Sequence, residues 1–220
     1  MYCFVLLLGL MALVDAKKEP CFHFPGEAYL RYGPGRFNIS DEARYNLTFR
    51  TSAASGIILY VEGPDDYEVL FLRRGRLIYL LTNPTPSGVE GTSGGLYESN
   101  AAVNNNTWVR VELLRNWGLR KRSRVGTSGR NTPLQTGMIL HDLERNTEEV
   151  HLDNLNHQGV LLHPDIYIGG IGVDVRHIRP GSSAVTPFVG EVKDMSEVRN
   201  GLTFEFPFLN YENRVKECVA

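Results

Sequence analysis

Several features are scarce or missing in this 220-residue sequence. No stretch repeats its apolar residues at the 3.6-residue spacing of an amphipathic helix, which excludes a helical bundle. Charge of one sign does not accumulate. Lys and Arg number 23 against 25 Asp and Glu, a formal net charge of −2. That balance argues against a general nucleic-acid binder. Cysteine is rare, three in all, and two lone, distant cysteines make no metal site. After the first residues, no apolar run approaches the roughly 18 residues that would anchor a chain in a bilayer.

The start is different. Residues Cys3 to Val14 in MYCFVLLLGLMALVDA form one continuous apolar run. It is too short to span a membrane. Val14 and Ala16 are small residues where a signal peptidase would cut, and Lys17 and Lys18 follow. Residues 1–16 read as a secretory signal peptide, with one domain over 17–220. The leader has no Lys or Arg before its apolar core, and a buried N-terminal strand or helix is the alternative. The expectation is a secreted protein, or an ectodomain fragment of a longer membrane protein. Cys3 leaves with the leader. Cys21 and Cys218 then flank the domain. A bond between them would close a long loop, worth about 4–5 kcal/mol in the chain-entropy model. Alternatively, Cys218 belongs to a following cysteine-rich module. Three open sequons, at Asn38, Asn46 and Asn105, agree with an extracellular surface.

Alternation of period two dominates what remains. In YNLTFRT, Tyr45, Leu47 and Phe49 share one face, and Asn46, Thr48 and Arg50 the other. A glycan on Asn46 would point away from the core. SGIILYVE and YEVLFLRRGRLIYLL are apolar on nearly both faces, as central strands of a packed sandwich should be. The second contains a hairpin signal at Arg73-Arg74-Gly75. TWVRVELLRN, DIYIGG, FVGEVKDM and GLTFEFPF complete a set that predicts an all-β sandwich or jelly roll. Between Leu113 and His141 there is no acid. Arg115, Arg120, Lys121, Arg122, Arg124 and Arg130 make this stretch basic. It reads as a mobile loop or long hairpin, a candidate grip for a polyanion at Arg120, Lys121, Arg122 and Arg124. A plain solvated loop or a processing site at RKRSR are the other readings.

Catalytic patterns fail on their context. GTSGG, Gly91 to Gly95, imitates a nucleophile elbow, but LYESNAAVNNN after it has no helical face. In EVKDMSE, a spacing of three would put Glu191 and Asp194 on opposite faces of a strand. No pair could then flank a glycosidic bond. The six histidines make no ligand spacing. Gly169-Gly170 is no phosphate loop, because no helix follows to receive an anion.

Taken in order, these segments resemble the laminin G (LNS) family. YNLTFRTSAASGIILYVEG is similar to its Phe-Arg-Thr strand, Ser-Gly and apolar strand. YEVLFLRRGRLIYLL is similar to its next hairpin, with Arg74 where Asp is usual. VNNNTWVRVELLRN resembles its Trp strand, DIYIGG its Tyr-Ile-Gly-Gly strand, and PFVGEVKDM its Phe-x-Gly strand without the cysteine. The resemblance runs from about Glu27 to Phe206, and within the family it is strongest to the first LNS domain of α-neurexins. It implies a laminin G-type jelly roll, concanavalin-like, that acts as a non-catalytic adhesion module. Rim loops would engage an extracellular protein or sulfated glycan. It places Gly169-Gly170 at the rim, and it implies Ca²⁺ ligands there, with Asp66 and Asp165 as the candidates and Asp65 in a shifted register. A carrier of a small apolar ligand, like steroid-binding globulin, and a lectin-type sandwich are the alternatives.

Overall fold

The structure, a computed structural model, describes residues 20–32, 42–62, 67–82, 95–118, 134–154, 165–172, 186–198, 202–203, 210–211 and 214–218. Among these, the regular elements are all strands. In chain order they are β1 (Cys21–Pro25), β2 (Tyr29–Tyr32), β3 (Ala43–Arg50), β4 (Gly56–Glu62), β5 (Tyr67–Arg73), β6 (Arg76–Thr82), β7 (Leu96–Ala102), β8 (Val109–Trp117), β9 (Gln135–Asp142), β10 (Thr147–Asp153), β11 (Asp165–Ile168), β12 (Val189–Glu197), β13 (Leu202–Thr203), β14 (Asn210–Tyr211) and β15 (Lys216–Glu217). They form two sheets, ordered β10-β9-β8-β3-β12-β1-β15, with β13 on β12, and β14-β2-β11-β4-β5-β6-β7. The arrangement is a jelly-roll sandwich. No helix among the described residues is long and apolar enough to cross a membrane.

Alternation builds the interior. Tyr45, Leu47 and Phe49 of β3, with Val109, Val111 and Leu113 of β8, face Leu70, Leu72, Leu77 and Tyr79 of the second sheet in one buried cluster. Each fully buried side chain of this size contributes about 1.5–3 kcal/mol. The second sheet is apolar on both sides. Ile57, Tyr60, Val69, Phe71, Ile78 and Tyr167 form a separate buried cluster on its other face. At the β5–β6 turn, Arg74 and Gly75 both have positive φ, 54° and 80°, the signature of a two-residue hairpin loop of type I′.

A charged network sits inside the sandwich. Arg115 of β8 donates from Nε to Glu68 of β5 at 3.1 Å. The hydroxyls of Tyr45 and Tyr79 each donate to the same carboxylate at 2.8 Å. All four side chains are buried, so the network bridges the two sheets. Burial, reinforced by the Glu68 charge, holds both tyrosine pKa values well above the ordinary phenol value. Burial alone would lower the Arg115 pKa. Glu68 and the two tyrosines outweigh it, and the guanidinium is held above its usual value. Arg115 is therefore not part of a solvated basic loop, as its neighbours in sequence suggest. It lies within β8, which pairs antiparallel with β9.

Gly169 directly follows β11 with φ 82°, and a Cβ there would collide with the ring of Phe24. Its N–H donates to Ile58 O at 2.9 Å, and its carbonyl accepts from Phe188 N–H at 2.8 Å. The double glycine thus turns the chain tightly over a core aromatic ring. Cys21 and Cys218 form a disulfide with Cα atoms 5.3 Å apart. It joins β1 to the segment of β15, which pairs with it.

Candidate functional site

Three places on the surface gather chemistry. The first is the rim at one end of the second sheet. Asp165 opens β11 and pairs in register with Glu62, which pairs on its other side with Tyr67. The starts of β11 and β5 therefore lie at the same end of β4. Asp66 directly precedes Tyr67 in sequence, but Asp65 and Asp66 lie outside the described residues.

The second is the outer face of the first sheet. Trp108, just before β8, lies under two cations, with Arg50 at 4.8 Å and Lys193 at 4.6 Å from its ring centre. Arg50 also pairs with Glu191. Arg44 pairs with Glu112 and stacks over Trp117 at 5.9 Å. His141 stands between Glu112 and Glu148, at 3.6 and 3.3 Å. A bulge in β12 shapes this face. Asp194 has φ 54°, and the register against β3 slips between Lys193 and Ser196. The extra residue lets Val192 and Met195, three apart, both turn inward. Glu191 and Asp194 then share the outer face, where simple alternation had put them on opposite sides. Asp194 lines a cleft of about 430 Å³ that also includes Pro20, Asn46, Thr48, Arg110, Glu112, Met195 and Ser196.

The third place went unnoticed in the sequence except as a turn. Arg73, Arg74 and Arg76 surround a shallow basin of about 700 Å³ with Ala54, Ser55 and Glu98. Glu98 approaches Arg73 at 3.7 Å and Arg76 at 3.6 Å. Three guanidinium groups against one carboxylate leave positive charge suited to an anionic group. The signal was present as the cluster RRGR, which the hairpin explanation absorbed.

Arg120, Lys121, Arg122 and Arg124 lie outside the described residues, as does Asn38. Asn105 is exposed in the turn before β8, where Thr107 donates to its Oδ1 at 2.7 Å. Glu191 lies within 4.8 Å of both Cys21 and Cys218 sulfurs, but sulfurs joined in a disulfide have no thiolate to offer a metal.

No curated protein matches the sequence. Among solved structures, the LG1–3 region of the laminin α2 chain superposes with a TM-score of 0.68 at 21% identity, covering 91% of this chain and 34% of that one. Domains LG4–5 of the mouse laminin α1 chain superpose with a TM-score of 0.63 at 16% identity, covering 90% and 46%. This chain thus spans less than half the length of either, and at these identities the likeness is one of fold. The family model of the laminin G domain matches residues 49–197. That range runs from the last two residues of β3 to the end of β12 and takes in β4 through β11 between them, and on that match the chain belongs to the laminin G domain family.

Proposed function

We propose that this chain is a non-catalytic extracellular binding module in neurexin-like cell adhesion, engaging a protein or sulfated-glycan partner through its rim and surface loops. The observation that carries this reading is the filled interior. Tyr45, Glu68, Tyr79 and Arg115 occupy the space between the sheets and satisfy one another there. A carrier needs that space for an apolar ligand, and these charges make it inhospitable to one. Recognition then falls to the surface. The arginine basin supports an acidic or sulfated partner. Ca²⁺ is part of the proposal at the opposite kind of site: Asp66 and Asp165 would supply the hard carboxylate oxygens it requires, and the shared register row of Asp165, Glu62 and Tyr67 supports their common origin at one rim. The ion would order that rim for a partner.

The test is binding of the purified chain to cultured cells. Saturable binding that trypsin or heparinase treatment of the cells removes is the expected result. Tight retention of a radiolabelled steroid, with no cell binding, would replace this reading by the carrier.

A further inference from the structure

The cleft on the outer face of the first sheet is built from three adjacent strands. Ser196, Asn46 and Glu112 form one register row across β12, β3 and β8, and Lys193, Thr48 and Arg110 form the next. The rows are two residues apart on β3 but three apart on β12. The bulge therefore inserts Asp194 between them, into the cleft.

The polar inventory of this cleft is unbalanced. Oδ1 of Asn46 and Oδ1 of Asp194 are both shut off from solvent and have no hydrogen-bond partner among the described residues. Buried acceptors left unmatched are costly, and a group bearing N–H and O–H donors would satisfy them. Asn46 also heads the sequon Asn46-Leu47-Thr48. Its Nδ2 makes one long contact, 3.5 Å to Ser196 Oγ. An amide nitrogen carrying a sugar keeps one N–H, so that contact survives attachment.

We propose that this cleft seats the innermost N-acetylglucosamine of an N-glycan carried by Asn46. The sugar's acetamido N–H and hydroxyls meet the two orphan acceptors, and the exposed Arg110 borders its open side. Attachment forms the bond from Nδ2 to sugar C1. The C1–O bond to a lipid-linked pyrophosphate donor breaks, the lipid pyrophosphate leaves, and one amide proton passes to base. Asn46 lies mid-strand, so the transfer happens on the nascent chain before β3 pairs with β8 and β12. The seated glycan then covers the centre of the first sheet and leaves the rim and the arginine basin for partners. This inference rests on the extracellular reading proposed above.

The experiment secretes the full chain from mammalian cells and follows each sequon by glycopeptide mass spectrometry. Native enzymatic release with a peptide N-glycosidase is then timed at Asn46 and at the exposed Asn105. The expected result is a glycan at both sites, with release at Asn46 about tenfold slower, the effect of one or two recovered hydrogen bonds. The difference vanishes after denaturation, and it shrinks in Asp194→Ala, whose fold is checked by its thermal midpoint. A glycan at Asn105 with none at Asn46 overturns this inference and leaves the extracellular reading standing. Equal native release at the two sites also overturns it. A secreted chain with no glycan at any sequon overturns the inference alone, and a chain that is not secreted and carries no glycan overturns both.

Discussion

Replacing Glu68 by Gln tests whether a charge pair holds the two sheets together. The substitution keeps side-chain volume and the acceptor for a tyrosine hydroxyl, but it removes the counter-charge of Arg115. Both partners are fully buried, at 0% exposure, so the guanidinium is left uncompensated in the core. Breaking a buried pair in this way costs about 3–5 kcal/mol. For a domain of this size, 1 kcal/mol moves the thermal midpoint by about 2–4 °C. The expected fall is therefore roughly 6–20 °C by these two figures. Urea melts followed by tryptophan fluorescence give the free energy directly, with the disulfide kept intact so that two-state treatment holds. A second variant separates charge from packing. Glu68→Leu with Arg115→Met removes both charges but strands the Tyr45 and Tyr79 hydroxyls, at about 1–3 kcal/mol each. Adding Tyr45→Phe and Tyr79→Phe removes that cost too. The four-fold apolar variant should return to wild-type stability or exceed it. A loss below about 1 kcal/mol in Glu68→Gln would refute the reasoning, because an exposed or water-accessible pair behaves that way.

Removing the disulfide with Cys21→Ala and Cys218→Ala opens a loop of sequence separation 197 and should cost about 5 kcal/mol in the chain-entropy model; an unchanged urea midpoint would mean the termini are held by β1–β15 pairing alone. Gly169→Ala should destabilise by about 1–3 kcal/mol, since its Cβ would collide with Phe24 at a φ of 82°; a neutral melt would show that the turn relaxes freely. Calorimetry at millimolar Ca²⁺ should show binding that Asp66→Ala abolishes, and no heat from the wild type would dismiss the rim site. On heparin resin, retention should fall steeply with salt. The variant at Arg73, Arg74 and Arg76 and the one at Arg120, Lys121, Arg122 and Arg124 then say which cluster grips, and no retention at low salt rejects both.

Much of the fold was readable because alternation is local. The faces of β3 and β8 follow from parity alone, and the two-sided apolar runs marked β4, β5 and β6 as covered on both sides. The elements that escaped notice are those with weak local signals. β7 reads LYESNAA, and its inward positions include Ser99, whose hydroxyl donates to Ala101 O at 2.7 Å and accepts from Leu77 N–H at 3.0 Å. A polar side chain at a core position erases the pattern. β9 lay inside a stretch judged by its charge, and β10 pairs in its sheet only with β9 among the described residues, while its acids Glu149 and Asp153 reach across to Asn100 and Tyr97 of β7.

The same weighing of charge over parity misplaced Arg115, and there the sequence held the better argument. Val109, Val111 and Leu113 point inward, and residue 115 continues their parity. On β5, Leu70 and Leu72 point inward, and Glu68 shares theirs. Two opposite charges at inward positions on strands of different sheets are a pair in prospect. Parity stated the positions, and neutralisation stated the partner, because neither charge could stay buried alone. Asp194 differs in kind. Its bulge depends on how β12 meets β3, a tertiary fit with no residue code of its own. That fit decides the cleft, since a regular strand would have turned Asp194 inward and left Asn46 on an open sheet face. The candidate site was therefore legible as residues, Asn46 and its sequon among them, but not as a place. The place comes from one extra residue in a neighbouring strand, 148 positions downstream by the difference of 194 and 46.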